Sequence, residues 1–204
     1  MYSTRTGLVL GFHGCDESVA NKIVNNHSSF KASHNSYDWL GNGMYFWENS
    51  PDRALEFITY LKNNPRSGKT TIEKPAVVGA VIDLGECFDL LDYGMLKILK
   101  TGYEVFKNIF ENTERELPQN VKTGCSDDLL LRHLDCAVFE TIHKVRADKD
   151  ESFDSVRGVF WEGSELYPNA GFREKDHIQI CVRNPNCIKG VFLPRLLDTG
   201  FQKV

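Results

Sequence analysis

The sequence contains no apolar run approaching the roughly twenty residues that cross a bilayer. Its start carries no basic segment followed by an apolar stretch of the kind that directs secretion. These two absences give the expectation of a cytoplasmic chain with no membrane partner. Without a leader, the sequon Asn26-His27-Ser28 reads as a chance match. Basic residues are not in excess: 24 Lys and Arg against 28 Asp and Glu leave a net charge of −4. Nothing global therefore draws the chain to nucleic acid or an anionic surface, although a local basic patch stays open. The six cysteines (15, 87, 125, 136, 181 and 187) form no CxxC pair, and none stands at zinc-ligand spacing from a histidine. No metal is expected, and thiols set in apolar stretches read as buried and free in a reducing compartment. There is no internal repeat and no low-complexity tract.

What is present fits one domain. A chain of 204 residues can bury a substantial core, and a second full domain is not expected. Helical spacing predicts helices over Val19–Val24, from Pro51 through Leu61, and from Met95 to Phe110, and a fourth from Leu129 to Ile142 capped by Ser126-Asp127-Asp128. Apolar or alternating runs predict strands at Leu8–Leu10, Ala76–Leu84, Ser155–Trp161, His177–Val182 and Cys187–Phe192. Residues 87–92 read as a short edge strand or a helix start, and 63–74 as a mobile loop. Strands flank a central helical pair, so the fold class is α+β, with a helical elaboration over about 93–150.

Two short stretches carry chemistry. Leu8-Val9-Leu10 runs into Gly11-Phe12-His13-Gly14, a buried strand delivering one imidazole to its end, where Gly14 lets a ligand approach the backbone. About thirty residues later Gly41-Asn42-Gly43 makes a tight turn into Met44-Tyr45-Phe46-Trp47, presenting the Tyr45 ring beside that imidazole. The polar segment 25–41, with Ser33, His34, Asn35 and Ser36, reads as a loop crossing a binding cleft. Gly41-Asn42-Gly43 is not a dinucleotide fingerprint: the third glycine is missing and no apolar strand precedes it.

In order, spacing and strand context this pair resembles the diphtheria-toxin-like, poly(ADP-ribose)-polymerase-like ADP-ribosyltransferases, over roughly residues 7–60 and loosely over 76–92 and 156–194. The resemblance implies two small antiparallel sheets split around a NAD cleft, with NAD as substrate and no metal. It implies a macromolecular acceptor, protein or RNA/DNA. A bacterial toxin or defence effector is one setting by analogy, with an antitoxin or regulatory partner. Carried across, His13 holds a ribose hydroxyl, Gly14 the nicotinamide carboxamide, and Tyr45 stacks on the nicotinamide; Ser36 and Gly43 flank the same cleft. Phe57 is placed either for a second stacking face or for core packing, and Arg157 either for the NAD pyrophosphate or for an ordinary salt bridge.

The chain departs from the family at its third residue, usually a glutamate on a late strand. Here the strand reads His177-Ile178-Gln179-Ile180-Cys181-Val182. Strand parity sets Ile178, Ile180 and Val182 on the core face and His177, Gln179 and Cys181 toward the cleft, so Gln179 takes the glutamate's place. An amide can hydrogen-bond a ribose hydroxyl but cannot act as a base, which favours single transfer over chain elongation. Glu162, between Trp161 and Gly163, is the rival carboxylate, since its surroundings could desolvate it; Glu165, Glu174 and Asp176 read as solvated. Two readings follow: a mono-ADP-ribosyltransferase centred on His13, Tyr45 and Gln179, or a non-catalytic NAD-binding or protein-interaction module on the same fold. The acidic balance counts against a general RNA or phosphate enzyme.

Overall fold

In the computed structural model the residues described are 7–65, 71–113, 115–123, 128–195 and 198–202. The expected capping residues Ser126 and Asp127, Cys125 and part of the 63–74 loop lie outside them.

Strand β1 (Val9–Asp16) passes directly into helix α1 (Glu17–Val24). Asp16 makes that junction. One carboxylate oxygen accepts from the Ser18 N–H at 3.0 Å, and the other from the N–H groups of Glu73 and Lys74 at 2.9 Å each. The Lys74 bond first, then Ser18, hold this carboxyl well below the usual range. Asp16 thus caps the helix and pins the chain where it enters β3 (Pro75–Ile82), whose β-branched residues fit a buried strand. Between them run β2 (Met44–Glu48) and α2 (Pro51–Asn63), with proline in the first turn. Strand β4 (Cys87–Asp89) is short and lies at an edge of the sheet.

Helix α3 (Tyr93–Glu111) starts two residues before the apolar stripe, because Asp92 accepts from the Gly94 and Met95 N–H groups. Helix α4 (His133–Ala147) starts later than its sequence predicts. Asn120–Val121 (β5) and Leu131–Arg132 (β6) pair as a two-residue ladder. The Asn120 side chain then accepts from the N–H groups of Leu134 and Asp135 at 2.9 and 3.2 Å. The cap comes from a segment a dozen residues upstream, which local reading cannot supply. Strands β7 (Ser155–Phe160), β8 (His177–Val182) and β9 (Ile188–Phe192) complete the chain.

The fold is α+β, and apart from the short β5–β6 ladder the strands form one sheet in the order β4-β7-β8-β2-β1-β3-β9 where a pair of sheets split around a cleft was expected. Every neighbour in it is antiparallel except β4 and β7. The sheet is nevertheless narrow at one seam. β1 pairs with β3 over eight positions but with β2 at only two, Gly11↔Glu48 and Phe12↔Trp47. Beyond Phe12 the strands stop pairing, so β1 continues on β3 while the start of β2 belongs to β8. One face carries Met44, Phe46, Ile180 and Val182 onto α1 and Phe30; the other carries Cys181 and Val156 onto α3 and α4. No helix among the described residues is long and apolar enough to cross a membrane. The five described cysteines are free, and burial pushes the Cys181 thiol up to about 12.

Candidate active site

His13 lies just past the seam. Its Nδ1 donates to the Tyr45 carbonyl oxygen at 2.8 Å, bridging the strands where their ladder has ended. A carbonyl can only accept, so the proton sits on Nδ1 and Nε2 is a bare acceptor. The ring meets Phe30 edge-on at 5.4 Å and Phe46 at 5.8 Å. Burial lowers its pKa, against the opposing pull of the Tyr45 carbonyl, so the imidazole is neutral at pH 7. A neutral ring with a fixed tautomer suits recognition of a hydroxyl better than proton donation.

The glycines are explained by protein contacts. A Cβ on Gly14 would meet the Ala54 carbonyl oxygen at 2.4 Å, so α2 occupies the space expected for a ligand. Gly41 has φ +79°, the left-handed region, and its Cβ would meet Glu140 Oε1 at 2.5 Å. That carboxylate accepts from the Asn42 N–H at 2.8 Å and pairs with Arg183 at 2.7 Å, so α4 and the end of β8 clamp the turn. Gly43 exchanges backbone hydrogen bonds with Ser33.

Tyr45 departs from its expected place. Its hydroxyl donates to the Gly41 carbonyl at 2.6 Å and accepts from the Leu40 N–H at 2.8 Å. The ring packs with the α3/α4 core, and burial raises its pKa well above the usual phenol range. Register decides this: Phe46 shares a sheet face with His13, so Tyr45 takes the other, and only its backbone reaches the imidazole.

Gln179 stands opposite Trp47 on β2 and Gly158 on β7, on the Tyr45 face, as parity predicts. It is half-buried, and its amide has no hydrogen-bond partner among the described residues. Around it is a cluster in which the sequence points to Glu162 and His177 but not to Trp47 or Arg53. Arg53, in the first turn of α2, lies 5.7 Å over the Trp47 ring and pairs through Nη2 with Glu162 at 2.6 Å. His177 donates from Nδ1 to the Lys175 carbonyl at 2.6 Å, and its ring centroid is 6.4 Å from that of Trp47. Burial lowers its pKa, leaving a neutral ring with a bare Nε2. Trp47 Nε1, Arg53 Nε and His177 Nε2 are all buried with no hydrogen-bond partner among the described residues. Orphaned polar atoms gathered at one place are unusual in a core and mark where a ligand or solvent group belongs. The available signal was parity, since His177 shares the face of Gln179.

Three expected residues are engaged by other parts of the chain. Arg157 lies on the opposite face of β7 from Gly158. It forks onto Glu48 at 2.5 and 3.0 Å and reaches Asp89 at 3.2 Å, with only 3% of its side chain exposed. Of its two sequence readings the salt bridge is the one present. Ser36 is exposed and bonds His133 at the start of α4. Phe57 packs on Trp47 at 5.0 Å beside Phe12 and Phe192, a small core under α2. Among the described residues no group of three His, Cys, Asp or Glu is placed to hold a metal ion.

The chain is similar to an uncharacterized protein of the archaeon Methanocaldococcus jannaschii, MJ0359. The two are 22% identical over 196 residues, covering 87% of this chain and 83% of that protein. No family model matches the chain, and no solved structure matches it.

Proposed function

We propose that the chain is a mono-ADP-ribosyltransferase with an ADP-ribosyltransferase-like fold, binding NAD at the seam between β1 and β2. The observation that carries this reading is the two-pair junction at Gly11–Phe12, beyond which His13 spans the opening to the Tyr45 carbonyl. That arrangement offers a fixed Nε2 acceptor for a ribose hydroxyl. Gln179, with no hydrogen-bond partner among the described residues, lies on β8 on the sheet face opposite the His13 ring, so in this reading NAD passes through the opening, its adenosine ribose at His13 and its nicotinamide ribose at Gln179. In the reaction the bond from nicotinamide to the ribose anomeric carbon breaks and its electron pair leaves with nicotinamide. Positive charge develops on the ribose, and an acceptor nucleophile closes the new bond at that carbon. The Gln179 amide oxygen supplies a dipole and a hydroxyl contact beside that charge. It supplies no base, so the acceptor brings its own nucleophilicity and one ADP-ribose unit is added.

Support for a macromolecular acceptor comes from the loop 161–176, which follows Phe160 and leaves Trp161, Leu166, Tyr167 and Phe172 each 57–64% exposed. Large apolar side chains gathered on one solvent-facing loop fit a partner surface. The second reading, a non-catalytic NAD-binding or protein-interaction module, is favoured by the buried and fully hydrogen-bonded Tyr45 hydroxyl. Incubation with labelled NAD and cell lysate separates the two. Transfer is expected to give discrete single-unit products on protein or nucleic acid. Polymer ladders would overturn the assignment of Gln179, and no labelled product would leave the non-catalytic module.

A further inference from the structure

A cavity of about 580 Å³ lies between helices α3 and α4 and the sheet, outside the site described above. Its walls are largely aliphatic and aromatic, including Leu40, Leu90, Leu99, Tyr103, Phe139 and Phe160. Its size falls within the range of small-molecule pockets, about 300–1,000 Å³. Three charged residues line it: Lys100, Arg132 and Asp135. Arg132 stacks on Trp39 at 4.3 Å and Phe160 at 4.8 Å, and its contact with Asp135 is long, 3.4 Å. Asp135 is shared with the Asn120 amide at 2.8 Å. Glu162 and Asp128 also act on Arg132, but each has its own arginine, Arg53 and Arg173. Lys100 has no carboxylate partner among the described residues. The cavity therefore combines a long apolar wall with one cation in excess.

From this we propose that the cavity binds an amphipathic carboxylate of the fatty-acid class, its chain against the leucine and phenylalanine walls and its head group toward Lys100 and Arg132. A nucleoside fits the walls poorly, since a sugar and base would need several hydrogen-bonding groups where most of the lining is apolar. An apolar cation would meet the wrong sign of charge. The pocket adjoins the candidate site through shared side chains. Leu40 precedes the clamped Gly41 turn and is held by Tyr45, and Phe160 lies 5.8 Å from His177.

Calorimetric titration of the whole chain with decanoate, dodecanoate, dodecanol and dodecylamine tests this independently of NAD. Dodecanoate is expected to bind one to one, about tenfold tighter than decanoate, the step for two buried methylenes. Dodecanol and dodecylamine should bind distinctly more weakly. Leu96→Trp, at a wall residue 43% exposed, should abolish binding without changing the circular dichroism spectrum. Lys100→Glu should weaken dodecanoate and spare dodecanol. No saturable dodecanoate binding, equal affinity for dodecanol, or full binding by a folded Leu96→Trp chain would each overturn the proposal.

Discussion

Replacing Arg157 by alanine is expected to cost about 3–5 kcal/mol of folding stability, the range for removing one partner of a buried ion pair. The guanidinium joins three strands, taking Glu48 of β2 and Asp89 of β4 from its own place on β7. The three side chains are 3%, 9% and 14% exposed. Burial works against the guanidinium's charge, but the two carboxylates outweigh it and its pKa is raised. Taking the cation away leaves two carboxylates in a poor solvent for charge without the guanidinium they share. Arg157→Lys should recover only part of the loss, because an ammonium cannot fork onto both Glu48 oxygens. Urea denaturation measures this directly. A loss below about 1 kcal/mol for Arg157→Ala, the value of an exposed pair, would show that the network does not lock the sheet.

The second large effect is on turnover. Gln179→Ala should lower the rate of transfer from NAD about a hundredfold, the cost of one lost transition-state hydrogen bond. Affinity for NAD should change less, because the interaction strengthens as charge develops on the ribose. The side chain is half-buried and makes no hydrogen bond to the described chain, so its removal should leave the fold intact. Glu162→Gln should have little effect. Its carboxylate is already engaged by Arg53 at 2.6 Å, and Arg53 keeps Glu56 as a second partner. Single-turnover rates of both variants decide the point. An inactive Glu162→Gln beside an active Gln179→Ala would transfer the role to the Glu162–Arg53–His177 cluster.

Parts of this architecture were legible because they depend on local rules. The alternation of β8 placed Ile180 and Val182 in one core and Cys181 in the other, with Gln179 on the Cys181 face. Pro51 marked the start of α2, and the apolar stripe after Asp92 marked α3. Other parts were set by segments far apart in the chain. The start of α4 waits for Asn120, and Arg157 is taken by carboxylates 68 and 109 residues away. The Tyr45 ring direction follows from the pairing of β2 with β1, which no property of Gly41–Phe46 reveals. The two sheets expected from the resemblance are one sheet by hydrogen bonding, yet the junction is two pairs wide at the place where the motifs meet. Gly14 reads in the sequence as a glycine that admits a ligand and Gly41 as part of a tight turn, while the atoms that exclude a Cβ there belong to Ala54 and Glu140.

The central claim is that NAD binds at the β1–β2 seam through the imidazole that spans it. Isothermal titration of NAD into the wild-type chain and into His13→Ala tests it most directly. His13 Nδ1 holds the Tyr45 carbonyl and Nε2 is the proposed ribose contact, so both roles end with the ring. His13→Asn is the companion, since its amide can still donate to the carbonyl without placing an acceptor where Nε2 stands. The account predicts saturable binding by wild type, and a loss of about 1–3 kcal/mol of binding free energy in both variants, the cost of a buried hydrogen bond. Undiminished NAD affinity in folded His13→Ala and His13→Asn, or no NAD binding by the wild-type chain, would contradict it.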